Sequence, residues 1–507
     1  MRTATAAWWG WGARPTRVED DAAALIAQIE KAWRGEDVAS REPSLPASDT
    51  ALVAKLRDRL GRDAVRDDAE TRARHAIGQS YRELALAQRG VVRDPPVAVV
   101  TARSREHVAE TLAVCTSLGL AVVPFGGGTS VTGGVAGPDA RHVALSLRGL
   151  ATLRDVDPIS FVATADAGML GPELEDALAR HGLTLGHFPQ SFERSTVGGW
   201  VATRSAGQFS TGVGAIDDLV VGLHAVAPRG EIVIPAMPPS AEGPDLLQMV
   251  VGSEGRYGVI TDVALRVRAA PERTAGAAWL LSSFEEGAFA VRSLMQVGPV
   301  PALVRLSDPF ETRMLARTDG ALLLVAASGT AAEVALTLDG AGRTIGARGK
   351  ALGSAPYDRW YATRYDAPYL RDALLERGTI ADSLETSTLW TNLGTVQGAV
   401  REALSKALDP QGRALVLCHL SHAYATGASL YFTFVAPGGD DAVDRWWAAK
   451  RAALDAMLAN GATASHHHGI GRDHREWQAR RLGETGMRAV DAVAEALDPD
   501  RVLAGNR

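Results

Sequence analysis

Apolar positions along the chain follow two patterns. Short apolar runs at residues 97–100, 120–123, 142–147 and 161–165 read as buried strands. Between the first two, Ser104 stands as an N-cap, and Val108, Leu112 and Cys115 recur on one helical face. That predicts a strand–helix–strand unit. Pro172 in a first turn and Gly182 just past an end bracket another helix, 172–181. After residue 271 strand-like runs return at 278–281, 302–306, 321–327, 414–420 and 430–435, with helical runs at 285–297, 331–341 and 393–408. Within 430–435, a period of two sends Tyr431, Thr433 and Val435 to one face and Phe432 and Phe434 to the other. The N-terminal stretch carries helical patterns at 20–34 and 50–60, and a charge-dense face over 57–74. Its cluster of Trp8, Trp9 and Trp11 reads as an anchor packed on another part of the molecule. A last amphipathic helix, 487–497, is stopped by Pro499. These patterns predict an α+β protein in four segments. They are a helical 1–89, an α/β region 90–270 opening after Pro95-Pro96, a second α/β region 271–455 with its sheet covered by helices, and a C-terminal 456–507 that returns to the first region.

Composition narrows the classes. The 507 residues, 46% apolar and 22% charged, suffice for two or three full cores. A net charge of −6 leaves no electrostatic footprint for nucleic acid. Cys115 and Cys418 are too few for a disulfide framework and suit a reducing compartment. No apolar run is long enough to span a membrane, and MRTATAAWWGWG lacks the apolar centre of a signal peptide. A cytoplasmic location is therefore expected.

Three loops carry candidate chemistry. The first, PFGGGTSVTGG at residues 124–134, follows a strand and offers Pro124, Gly126, Gly127, Gly128, Thr129 and Ser130. Glycines let a ligand approach the backbone, and successive N–H groups there can cradle a phosphate. Gly134 stands where a triphosphate loop needs Lys, and Val131 where a dinucleotide fingerprint needs its third Gly. The second loop, STVGGWVAT at 195–203, offers Ser195, Thr196, Gly198 and Gly199; the third, 252–261, offers Glu254, Gly255 and Ile260. Three such loops suit a long cofactor containing a diphosphate.

These segments, with STVGGWVATRSAG, IDDLVVGL and GSEGRYGVIT, resemble the FAD-binding domain of the vanillyl-alcohol oxidase superfamily. From WWGWG to DPDRVLAGNR the chain is similar to the alkyldihydroxyacetonephosphate synthase family, most specifically in STVGGW and SHHHGIG. The resemblance implies an α+β fold with a FAD-binding domain of that type and an α/β cap over the isoalloxazine. It implies FAD with its pyrophosphate on residues 124–134, completed by the second and third loops. No His or Cys stands in the first loop, so the expected FAD is non-covalent. The resemblance further implies catalytic roles for Tyr431, for His466, His467 and His468, and for Arg371 near the flavin, and a structural role for Arg305.

The implied reaction exchanges the acyl group of acyl-dihydroxyacetone phosphate for a long-chain alcohol through a flavin adduct. A neutral His can take a proton near pH 7, Arg suits a phosphate, and a phenol can serve a leaving oxygen. Read alone, three successive His leave other uses open: at most two can face one site, and zinc is one use of such a cluster, although no HExxH spacing is present. No metal is expected. His419 and His422 read as core or site. The alternative is a FAD-dependent dehydrogenase of a 2-hydroxy acid or related alcohol. Those enzymes carry Gly-Glu-His-Gly where this chain has His466-His467-His468-Gly469, and a pair of His seven apart where it has Thr426 and Ser429 after His419 and His422. The expected partners are the small-molecule substrate, a peripheral membrane contact and a second copy of the chain in a homodimer.

Overall fold

The computed structural model describes residues 7–13, 18, 38–138 and 141–504. The helix expected at 20–34 lies outside them. Thr50–Leu60 is helical as its periodicity predicts, capped by the Asp49 carboxylate, which accepts from Leu52 N at 3.0 Å.

Two sheets carry the glycine loops. The first has four strands in the order Val65–Arg66, Ala98–Thr101, His142–Ser146, Ala121–Phe125. Ser104 caps the crossover helix Arg105–Leu118 as expected, accepting from His107 N at 3.1 Å, and Gly119 closes it in the left-handed region at φ 65°. The strand–helix–strand unit differs from its simplest reading. Ala98–Thr101 and Ala121–Phe125 are not neighbours, because His142–Ser146 inserts between them, parallel to both. The all-apolar Val143, Ala144 and Leu145 explain the insertion: they are fully buried, which suits a central strand covered on both faces. The second sheet is antiparallel, in the order Leu153–Asp157, Val162–Asp166, Val259–Arg266, Val220–Ala227, Gly230–Ile234.

The cap is one seven-stranded antiparallel sheet. Its order is Gly349–Gly353, Arg273–Leu281, Ala321–Gly329, Leu303–Ser307, Leu415–Ala423, Gly427–Pro437, Thr379–Leu389. Helices Phe284–Val297, Ala331–Ile345, Leu393–Leu408 and Ala442–Ala459 bury their apolar stripes in the same core as one face of this sheet. Phe432 and Phe434 enter that core, fully buried, as the alternation predicts. On the opposite face Ala278, Leu322 and Leu324 pack with Tyr357 of helix Ala355–Thr363, and the strands beyond them front the glycine loops.

Both outlying segments close on this frame. Trp8 and Trp9 lie in the cap core, their indole N–H groups donating to Arg41 O and Ser40 Oγ at 2.9 and 2.8 Å. At the other end, Val122 N donates to Val502 O at 2.7 Å and Ala504 N to Val122 O at 2.9 Å. The last long helix, Arg475–Leu497, starts earlier than its periodicity suggests and is broken at Gly483 (φ 68°). Among the described residues no helix is long and apolar enough to cross a membrane.

Candidate active site

A cavity of about 540 Å³ lies between the glycine loops and the open face of the cap sheet. Every expected loop residue lines it: Pro124, Gly126, Gly127, Gly128, Thr129, Ser130, Ser195, Thr196, Gly198, Gly199, Glu254, Gly255 and Ile260. The glycines serve loop-to-loop packing as much as ligand approach. A Cβ on Gly127 would stand 1.9 Å from Arg194 O, and one on Gly126 would stand 2.4 Å from Thr196 Oγ1. On Gly198 it would meet the Ala167 Cβ at 2.6 Å. At Gly127 the first loop therefore abuts the backbone that leads into the second, which only glycine permits.

Two expected ligand groups are already engaged inside the protein. Ser195 Oγ donates to Ser191 O at 2.9 Å and accepts from Trp200 Nε1 at 2.6 Å. Its contribution to a ligand is therefore backbone, not hydroxyl. Glu254, at φ 51°, spends its carboxylate on Ile470 N (2.5 Å) and Gly471 N (2.8 Å). It ties the third loop to the segment that carries the histidines.

The cap face presents alternate residues of four strands: Arg305, Ser383, His419, Ser421, Tyr431 and Thr433 all line the cavity. Tyr431 OH lies 2.6 Å from Ser383 Oγ. Burial pushes its phenol up to about 12, so it stays protonated and can donate. Directly across the strand pair, the His419 ring stacks on Tyr431, with centroids 4.9 Å apart. His419 Nδ1 meets Glu311 Oε1 at 3.2 Å, and Arg305 Nη2 meets the same oxygen at 2.8 Å. Burial alone would raise the Glu311 carboxyl; Arg305 and His419 outweigh it and hold it down at about 2.

His466, His467 and His468 come together over one buried carboxylate that sequence reasoning missed. Glu385 accepts from the backbone N–H of His466 (2.6 Å), His467 (3.1 Å) and His468 (2.9 Å), and from Ser465 Oγ (2.8 Å). Burial by itself would raise its pKa; the three imidazoles and these donors outweigh that and hold it below the usual carboxylate range. Burial lowers the pKa values of the three imidazoles, and Glu385 opposes that shift. His467 and His468 line the cavity. His466 lies behind, Nε2 on Tyr424 OH at 2.7 Å and Nδ1 on His467 Nδ1 at 2.9 Å.

His422, at φ 46° near the end of its strand, joins them: its ring stacks on His466 with centroids 5.1 Å apart, and its Nδ1 lies 2.6 Å from Ser210 Oγ. Ring nitrogens of His422, His466 and His467 fall within 4.8 Å of one another, a spacing a cation could use. His422 Nδ1 is engaged with Ser210, His466 Nε2 with Tyr424, and the Nδ1 atoms of His466 and His467 with each other.

Arg371 lines the cavity, but most of its fork is occupied. Nε and Nη2 bind Asp372 Oδ1 at 3.2 and 2.8 Å; Nη1 and Nη2 bind Gln79 O and Oε1 at 3.0 and 2.6 Å. One N–H of Nη1 remains for a ligand. The same Asp372 accepts the Trp11 N–H at 2.5 Å on its other oxygen, and Trp11 itself lines the cavity. The anchor reading of the tryptophans holds for Trp8 and Trp9, whereas Trp11 also reaches the site.

The donors fit a flat cofactor with a diphosphate. The first loop borders the cavity, and among the lining residues there is no Cys and no first-loop His to attach it covalently. Residues 96–234 match the family described as FAD binding domain, and residues 270–506 match the C-terminal domain of FAD linked oxidases. The third loop falls between the two matched stretches. The chain is thus a flavoenzyme of the FAD-linked oxidase fold, with non-covalent FAD.

Closer relatives narrow this. The alkyldihydroxyacetonephosphate synthase of Trypanosoma brucei brucei is 32% identical over 92% of this chain and 82% of its own length. That of Dictyostelium discoideum is 29% identical over 86% and 77%. A solved alkyldihydroxyacetonephosphate synthase structure superposes with a TM-score of 0.81 at 25% identity, covering 95% of this chain and 90% of the other. The chain belongs to the alkyldihydroxyacetonephosphate synthase family of FAD-linked enzymes.

Proposed function

We propose that the enzyme replaces the acyl group of acyl-dihydroxyacetone phosphate with a long-chain alcohol. The relatives' printed activity supports the substrate class. The observation that carries the chemistry is the setting of Tyr431. A phenol kept protonated by burial stands between the His419 ring and the rings of His467 and His468, 6.2 and 5.5 Å away centroid to centroid. Acyl exchange needs a donor for the departing oxygen and an acceptor for the proton of the entering alcohol, and this cluster holds both. Tyr431 donates to the leaving carboxylate oxygen. Arg371, held rigid by Asp372 and Gln79, keeps its charge and one N–H toward the cavity, where the substrate phosphate would lie. Bound FAD supplies a ring that can hold the three-carbon unit between loss of the acid and arrival of the alcohol. The test is anaerobic mixing of holoenzyme with palmitoyl-dihydroxyacetone phosphate and hexadecanol. Release of palmitate with formation of the ether product supports the reading. Flavin bleaching by D-2-hydroxy acids, with no palmitate released from the acyl substrate, overturns it.

A further inference from the structure

The cavity wall holds a carboxylate–imidazole pair outside the His466–His468 segment. We propose that His419, oriented by Glu311, is the base that takes the hydroxyl proton of the entering alcohol. This rests on the acyl-exchange reading above. An ionised carboxylate can only accept a hydrogen bond, so the contact between Glu311 Oε1 and His419 Nδ1 at 3.2 Å requires the proton on Nδ1. The acceptor lone pair is then on Nε2, which bonds no protein atom among the described residues, in a ring that lines the cavity. Arg305 fixes the carboxylate from the other side at 2.8 Å, and Tyr431 fixes the ring plane by stacking at 18°. No imidazole of the His466–His468 segment has a carboxylate on a ring nitrogen at hydrogen-bond distance: the nearest approaches of Glu385 to the rings are 3.7 Å at His467 and 3.8 Å at His468. His466 has both nitrogens engaged.

Burial, and then Arg305, lower the His419 pKa, while Glu311 opposes them, so the ring is neutral and competent at pH 7. In the step, the alcohol O–H bond breaks and its proton goes to Nε2. The O–H electron pair forms the new C–O bond to the three-carbon unit. The fatty acid departs as carboxylate, and the imidazolium returns its proton to water once product leaves. Nothing is oxidised or reduced overall.

The test compares wild-type, His419→Gln and Glu311→Gln holoenzymes, each first checked for FAD content. Palmitate release from palmitoyl-dihydroxyacetone phosphate and ether formation are measured separately. The expected result for His419→Gln is a fall of about a hundredfold or more in ether formation relative to palmitate release. The loss should shrink with a 2,2-difluorinated alcohol of the same length, whose more acidic hydroxyl needs less help. Glu311→Gln should move the acid limb of the ether-forming kcat/KM profile to lower pH, because the charge that raised the His419 pKa is gone while Arg305 remains. The groups facing the ring are Arg305, Glu311, Tyr431, His422 and His467. An unchanged ratio in His419→Gln, equal losses with both alcohols, or an acid limb unmoved in Glu311→Gln overturns the inference. Should His419→Gln not retain FAD, the Glu311→Gln profile decides alone. Absence of palmitate release in the wild type would instead overturn the acyl-exchange reading.

Discussion

Trp11 and Asp372 are joined by a backbone N–H to carboxylate hydrogen bond of 2.5 Å, and the second oxygen of that carboxylate holds Arg371. The N-terminal tryptophan segment thereby fixes a cavity arginine. Asp372→Ala removes a buried acceptor and leaves the Arg371 charge, 13% exposed, without its counter-ion. Loss of one partner of a buried pair costs about 3–5 kcal/mol. Urea unfolding of the variant should show a loss of that order, and limited proteolysis should cut nearer residue 11 than in the wild type. Wild-type stability with an uncut N-terminus would contradict the coupling.

Acid should unfold this protein earlier than its carboxylates alone would require. The pKa values of His419, His422, His466, His467 and His468 are all lowered, chiefly by burial. In the unfolded chain these groups take up protons below about pH 6.5, while the folded protein resists doing so. Stability is thus fully present above that pH and is lost as pH falls toward the folded values. Each histidine contributes up to about 1.4 kcal/mol per pH unit within its window. Thermal midpoints from pH 8 to 5 should be level at first and then fall steeply. A flat curve down to pH 5 would mean that the imidazoles are charged in the fold.

Tyr431→Phe should lower turnover by about two to four powers of ten with FAD content unchanged. Its hydroxyl bonds Ser383 Oγ, so a stability cost of about 1 kcal/mol is expected as well. Ser383→Ala is the control. It removes the same hydrogen bond but leaves the phenol, and should keep most of the activity. Equal activity losses in the two variants would make the phenol structural.

Gly127→Ala should weaken FAD binding through the packing of two loops. Its Cβ would meet the Arg194 carbonyl, whereas a Cβ on Gly199 would meet only Thr196 Oγ1, at 3.1 Å. FAD titration should show a larger loss for Gly127→Ala than for Gly199→Ala. The reverse order would mean that ligand approach, rather than loop contact, sets the need for glycine.

The first loop was legible in the sequence because glycine density is local. So was the cap strand of Tyr431, whose bulky Phe partners must point into the core. Glu385 was not. It lies in Thr379–Leu389, TIADSLETSTL, where polar residues on the cavity face interrupt the apolar pattern that marks a strand. The signal was there at period two, with Ile380 and Leu384 buried on one side and Ser383 and Glu385 on the other. Asp372, Gln79 and Glu311 left no trace, since each gains its role only through partners brought near by folding. Arg371 was expected as an active-site residue near the flavin, but Asp372 and Gln79 together occupy most of its fork.

The strand that delivers the glycine loop, Ala121–Phe125, stands at the edge of its sheet, and residues 502–504 bond along its open side. On a ribosome that side stays bare until residues 502–504 have been made. Until then the nascent chain presents one unpaired backbone edge of this strand. The loop that follows this strand lines the cavity, so the backing of the cofactor loop is complete only when residues 502–504 are in place.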